Sequence, residues 1–402
     1  MDWVAAAETI REETLEIFKH LHQYPELSEQ EHETTRYIAA KLSAMGLEVQ
    51  TFQNMTGVVG CLPGPPGRPT IAIRADIDAL PVQENSASPF PSRVPGVMHA
   101  CGHDFHATVA LGVARLLSGA RDRLPFSVKF IFQPAEETNV GAKAMIEAGV
   151  LDNPPVDFII GIHANPDLQV GQVGLTSGPV MAAESNFEIT ITGKSSHGSQ
   201  PHKGADALVA ASATITALQT IVSRSLDPLE TAVVSVGTIQ GGNAKNIIAD
   251  KALLAGTVRY FKKEAEQLIQ EKLERITRYT SETYGCKNHL DFFSEQSPVI
   301  NNPSLIEAIR PSLIQVFGEE NIISVGPSMA SEDFSYFLQE VQGVFSWLGT
   351  SSAENKGVYP LHNQGFCIEE DAIVSGISSI CVLIDALTSM EDTIFDGTLR
   401  LS

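Results

Sequence analysis

Positive charge is in short supply in this 402-residue chain: 27 lysines and arginines stand against 48 aspartates and glutamates, a formal net charge of -21. Such a surplus of carboxylates repels phosphate backbones and anionic lipid surfaces, so no nucleic acid and no membrane are expected as partners. Cysteine is scarce as well. Cys61, Cys101, Cys286, Cys367 and Cys381 are an odd, scattered set, which excludes a disulfide framework and fits a reducing, cytoplasmic setting. No apolar stretch of bilayer-spanning length is expected. Met1–Arg11 lacks the basic start, apolar run and cleavage site of a secretory leader. Solenoid-length repeats and low-complexity tracts are absent too.

What is present is an ordinary globular balance, 43% hydrophobic and 19% charged, in a chain longer than one core usually serves, so two domains are the default expectation. Periodicity predicts helices over Ala5–His22 and Glu31–Met45, then strands over Val58–Leu62 and Thr70–Ala75. A helix over His106–Ala120, a strand over Ser127–Phe132, a helix over Gly141–Ala148 and a strand over Val156–His163 follow. Helices alternating with continuous apolar strands predict an α/β fold with a mostly parallel sheet. From Ser185 the pattern changes, with Phe187, Ile189 and Ile191 alternating with polar residues. The order there reads β-α-β-β-α-β, a ferredoxin-like α+β unit. The earlier grammar resumes after Ser297, so the unit is inserted: residues 1–184 and 296–402 form one domain, and residues 185–295 the insertion.

The densest chemistry lies in Met98–His106, which packs Cys101, His99, His103, His106 and Asp104 into nine residues. Thiol, imidazole and carboxylate bind borderline-soft divalent metals, yet this cluster is too short to complete a site alone. Cys101 as a small buried hydrophobe and His103 as a helix cap is the plainer alternative. Glu136 and Glu137 follow a strand and Pro134, and neighbours in such a loop can point differently, one to a metal and one to a water. A solvated acidic loop is their alternative. His163 ends a strand, where α/β sites gather, and His362 lies in Tyr359–Asn363; each alone reads more often as a satisfied histidine than as a ligand. In combination, Cys101, His103, Glu137, His163 and His362 supply five ligands, one more than a tetrahedral ion needs, which suits a pair of ions. Asp76 and Asp78 share a strand face and either orient a ligating histidine or pair with Arg74. His99 and His106 are left outside the site.

The blocks Arg74–Pro81, Met98–His106 and Gln133–Glu137 resemble the amidohydrolase branch of the dinuclear metallopeptidases, which includes N-acyl-amino-acid amidohydrolases, hippurate hydrolases, N-acetyldiaminopimelate deacetylases and plant auxin-conjugate hydrolases. The likeness continues through Lys194–His197, Pro201–Asp206, Gly241–Ile248, Gly256–Arg259, Ser331–Phe334 and Leu361–His362. The resemblance implies a metallopeptidase-like catalytic domain whose inserted unit is a lid and dimerisation domain. It implies that Cys101, His103, Glu137, His163 and His362 bind two divalent ions, zinc or manganese with cobalt or nickel as substitutes, and that Glu136 is the catalytic carboxylate. His197 then matches a lid histidine that polarises the substrate carbonyl, and Asn243 and Arg259 match positions that hold its carboxylate. The chain departs from its relatives at Thr138–Gly141, where a glycine-rich turn is common, and at Ser195–Ser196, where glycines are frequent. The implied activity is hydrolysis of N-acyl-L-amino acids by a homodimer or higher homo-oligomer. The alternatives are a dipeptidase or carboxypeptidase with the same metal site, and a non-catalytic dimeric binding protein.

Overall fold

Among the described residues, fourteen strands and the helices between them build the chain, and the strands are numbered in chain order. They are β1 Glu48–Thr51, β2 Val58–Leu62, β3 Thr70–Asp76, β4 Ser127–Gln133, β5 Phe158–Gln169, β6 Val173–Gly174, β7 Gly178–Met181, β8 Ala183–Thr192, β9 Ala232–Gly241, β10 Lys251–Tyr260, β11 Lys287–Gln296, β12 Val299–Asn301, β13 Ile322–Ile323 and β14 Gln342–Ser351. The computed structural model describes residues 1–352 and 359–389, and the chain divides into two units.

The first unit comprises Met1–Val180, Ile300–Gly326 and the described residues from Asp333 onward. Its eight-stranded sheet runs β1-β2-β4-β3-β5-β14-β6-β13. The four central strands, β4, β3, β5 and β14, are parallel, while β1, β2 and β6 pair antiparallel to their inner neighbours. Every residue of β3 and β4 is buried, as expected of central strands covered on both faces. Those runs are mostly apolar, so the charged and amide groups inside them need partners: Arg74 bonds Asp76 and Gln133, and Lys129 donates to the carbonyls of Val150 and Pro154. The helix His103–Gly119 packs on β3 and β5, and Asp371–Thr388 packs on β14 and on that helix.

Two expectations are revised. The single helix predicted over Ala5–His22 is two, Trp3–Glu8 and Arg11–Gln23. At the break the amides of Thr9 and Ile10 bond the carbonyls of Ala6 and Ala7, and the Thr9 hydroxyl also takes Ala6, which tightens the turn and ends the first helix. An apolar helix of bilayer length does exist: Asp371–Thr388, 18 residues of mean hydropathy 1.6. It is a core helix, with 78% of its residues buried inside the protein.

The second unit comprises Met181–Val299 with Pro327–Glu332. Its four-stranded sheet runs β11-β8-β10-β9 with every pairing antiparallel. With helices Ala207–Leu218 and Lys263–Thr283 between the strands, this is the ferredoxin-like order read from the sequence. Ala183, Ser185, Phe187, Ile189 and Ile191 are buried on alternate positions of β8, which is the period-2 signal in physical form. Asp206 starts the first helix by accepting the amides of Leu208 and Val209.

Candidate metal centre

Three loops leaving the sheet of the first unit, together with strand β5 itself, deliver the polar cluster. The loop before helix His103–Gly119 turns at Gly102, whose φ of +86° is left-handed. A Cβ there would lie 2.9 Å from the Ala164 Cβ, so only glycine brings this turn up against β5. Cys101 and His103 flank it. β5 carries His163, β4 leads through Pro134 into Glu136 and Glu137, and the His362 loop is tied down by its own N–H, which donates to the Ala100 carbonyl at 2.8 Å. His362 has a φ of +65°, a conformation that costs a non-glycine residue on the order of 1–3 kcal/mol and persists only where the surroundings enforce it.

These six residues converge. Ligand atoms of Cys101, His103 and His163 lie within 4.8 Å of one another, as do those of Cys101, Glu137 and His362, and those of His103, Glu136 and Glu137. Cys101 Sγ is 3.5 Å from His163 Nε2, and Glu137 Oε1 is 3.3 Å from His362 Nε2 and 3.9 Å from His103 Nε2. Glu136 Oε2 is 4.0 Å from His103 Nε2. His103 Nε2 and Glu137 Oε1 are both buried without a hydrogen-bond partner, a costly arrangement unless a cation fills the gap.

The opposite ring nitrogens explain which atoms are left to bind. His103 Nδ1 lies 3.0 Å from Asp78 Oδ1, and His163 Nδ1 lies 2.9 Å from the Ala164 carbonyl. With those acceptors taking the Nδ1 protons, Nε2 is the ligating nitrogen in both rings, the usual device for orienting a metal-binding imidazole. Burial pulls His163 down to about 4, keeping it neutral. Burial also penalises charge on His103, but Asp76 and Asp78 outweigh it and raise its pKa well above the ordinary value. The Cys101 thiol is pushed well up by burial, so its thiolate needs a cation beside it. His106 has no nitrogen to spare: Nδ1 is 2.5 Å from Asp76 Oδ1, and Nε2 accepts the Ala164 N–H at 2.7 Å. His99 is buried with neither ring nitrogen bonded.

Both sequence alternatives for the aspartates are realised, one in each residue. Asp78 orients His103, and its other oxygen accepts the Glu137 N–H at 3.1 Å and the Ser28 hydroxyl at 2.7 Å. Asp76 pairs with Arg74 at 2.6 Å as well as with His106. Arg74 reaches on to Gln133 and Asp333, and the network is wholly buried. Burial opposes charge on Asp76, yet His103, His106 and Arg74 hold its carboxyl well below the ordinary carboxylate range.

The Glu136 turn has its own geometry. Ala135 and Asn139 have φ of +53° and +61°. Asn139 stands where a glycine-rich turn was expected, and asparagine tolerates the left-handed region better than most residues. Its N–H closes on the Glu136 carbonyl at 2.8 Å. Gly141 is needed for space instead, since a Cβ would fall 1.6 Å from the Pro134 carbonyl oxygen.

The structure places the remaining sequence candidates in the second unit. His197 is exposed, and its Nδ1 accepts the Ser199 N–H at 3.1 Å with the Ser199 hydroxyl at 2.7 Å, which leaves the ring proton on Nε2. Asn243 is exposed in the turn after β9. Arg259 is paired with Glu184 at 2.9 Å and donates to Ser331 at 2.8 Å. Sequence reasoning missed Ser28, Glu31 and Gln133 as supports, because a polar residue beside a helix start or inside a strand carries no sign of its distant partner. It also missed a buried group, His22 held between Asp104 at 2.6 Å and Glu84 at 3.2 Å.

A buried thiol, three imidazoles and a carboxylate around unpartnered atoms, with a second carboxylate alongside, form a donor set suited to divalent ions next to a base. Residues 72–386 match the model of peptidase family M20/M25/M40. The chain is 40% identical over 366 residues to an N-acetyl-L-cysteine deacetylase of Bacillus subtilis, covering 91% of this chain and 86% of that protein. It is 36% identical to thermostable carboxypeptidase 1 of Saccharolobus solfataricus over 90% of this chain and 92% of that protein. A solved Bacillus subtilis structure, described as a dinuclear metal-binding peptidase of the M20 family, superimposes with a TM-score of 0.83 at 36% identity, covering 96% of this chain and 99% of that one. The chain therefore belongs to peptidase family M20/M25/M40, in its amidohydrolase branch, and is a hydrolase.

Proposed function

We propose that the protein deacylates N-acyl-L-amino acids, releasing the amino acid and a carboxylic acid. The observation that carries this reading is the convergence of Cys101, His163, Glu137 and His362 on His103 Nε2, a buried nitrogen without a hydrogen-bond partner, with Glu136 beside them. Those five residues would hold two divalent ions, zinc or manganese with cobalt or nickel as substitutes. When bound, such ions acidify a water and polarise a carbonyl.

Glu136 takes the proton of the attacking water and returns it to the amide nitrogen as the C–N bond breaks. It is almost fully buried and belongs to a group with His103 and Glu137, so it can carry that proton without bulk solvent intervening. From the second unit, on the likeness of its motifs, we assign three further roles. His197 donates Nε2–H to the oxygen that gains charge, worth on the order of 3 kcal/mol for a well-placed donor. Asn243 and Arg259 receive the amino acid's carboxylate, Arg259 in competition with Glu184. The inserted unit serves as lid and dimer interface, and the five free cysteines suit a cytoplasmic enzyme.

The carboxypeptidase reading keeps one supporting observation, the Saccharolobus relative. Turnover of an N-acetyl-amino acid against that of a dipeptide sharing its C-terminal residue separates the two, with deacylation expected to win. Metal content is measured in the same preparations. A Glu136→Gln protein that retains metal should lose turnover by about 10²–10⁴-fold; near-normal rates would remove Glu136 from the chemistry. A metal-free protein inert toward a broad amide panel would instead favour a binding role.

A further inference from the structure

Glu31 is a buried carboxylate that the chemistry above leaves unused. It begins helix His32–Ala44, yet its side chain caps nothing there. Glu26 does that work, accepting the N–H groups of Glu33 at 3.2 Å and Thr34 at 2.8 Å. Glu31 reaches across the sheet edge instead. Its Oε1 accepts the backbone N–H of Ala135 at 2.8 Å, and its Oε2 accepts the Thr56 hydroxyl at 2.6 Å.

A carboxylate in this position is costly, because burial raises its pKa against the help of Thr56, and an apolar side chain of similar volume would avoid the desolvation. Its bond to Ala135 accounts for its presence. Ala135 is held at a φ of +53°, which disfavours an L-residue by about 1–2 kcal/mol, and Glu136 follows it directly. A hydrogen bond from a backbone amide to a charged acceptor is strong enough to offset that strain. On the other side of Glu136, Asp78 accepts the N–H of Glu137. The Pro134–Ala135 peptide, one residue ahead of Glu136, and the Glu136–Glu137 peptide directly after it are thus each pinned by a buried carboxylate.

We propose that Glu31 is a positioning residue for the proton-carrying Glu136, acting through the Ala135 amide. This rests on the reading of Glu136 given above. The test compares Glu31→Met, Glu31→Gln and Glu31→Asp with wild type on an N-acetyl-amino acid, with Glu136→Gln in the same series. Active wild type and inactive Glu136→Gln establish the base independently of Glu31, so the two ideas fail separately.

Glu31→Met fills the space but offers no acceptor. It should lower kcat by about 100-fold, the effect of an ångström-scale misplacement, with KM and metal content unchanged. Amide hydrogen exchange should quicken in residues 135–140 and stay unchanged in β3 and β4. Glu31→Gln can still accept from Ala135 while donating to Thr56 Oγ1, so it should keep kcat within about tenfold of wild type. Adding Ala135→Gly to Glu31→Met should restore part of the lost kcat, because glycine adopts the left-handed turn without strain. Wild-type kcat and exchange in Glu31→Met, or equal losses of kcat, KM and metal, would overturn the proposal. Should Glu31→Met fail to fold, Glu31→Asp decides: a shorter carboxylate that leaves kcat and exchange of residues 135–140 unchanged also overturns it.

Discussion

Arg74, Asp76, Gln133 and Asp333 in the first unit are sealed from solvent and bonded to one another, whereas His197 in the second is exposed and steadied by its neighbour Ser199. The first arrangement fixes geometry as a by-product of folding, since no member can move without leaving a partner buried and unpaired. The second fixes only a tautomer and a local turn. Reactive groups in the first unit should therefore be coupled to stability, and those in the second should not.

Chelation is the largest way to break that comparison. Removing divalent ions should abolish hydrolysis and lower the thermal transition of the first unit, because a ligand at a thousand times its Kd stabilises the folded state by about 4 kcal/mol. Calorimetry in which both units shift together would show the coupling to be general. Next, His197→Ala should reduce kcat by about 10²-fold while leaving the melting temperature unmoved. A smaller effect concerns His22, whose burial disfavours charge but whose bonds to Asp104 and Glu84 raise its pKa to about 10. A histidine raised in the folded state contributes stability that is complete below its unfolded value near 6.5 and is lost as pH climbs through 10. Melting temperature should fall across that window in wild type and fall less in His22→Gln. The smallest change is expected for Glu184→Gln, which removes the competitor for Arg259 and should lower KM for an N-acyl-amino acid by only a few-fold, as exposed and half-exposed ion pairs are weak. A raised KM would mean that Glu184 orients Arg259 instead.

That Cys101 and His103 lie in a ligand-rich stretch was legible because unlike polar groups crowd into nine residues, and the fold was legible because β3, β4 and β5 are largely apolar runs and β8 alternates, whereas the Glu136–Glu137 pair gains meaning only where the fold brings it to His103. The short strands β6, β12 and β13 carry too few residues for any period, and they escaped. The supports escaped for another reason. Arg74 and Asp333 are 259 residues apart, and Glu31 and Ala135 are 104 apart, so their pairing is a property of the folded sheet alone. Asn139 shows the converse, a departure at the level of composition that the backbone absorbs.

The position of β14 in the chain bears on how the protein is made. β14 pairs with β5, yet about 170 residues lie between the end of one and the start of the other. At a ribosomal rate of about 5–20 residues per second, β5 waits roughly 10–35 s with an open edge. β8 to β11, emerging in that interval, contain every strand of their own sheet. The nascent chain can thus finish its insertion before the unit that surrounds it in sequence, and the waiting strand is where a chaperone would be needed most.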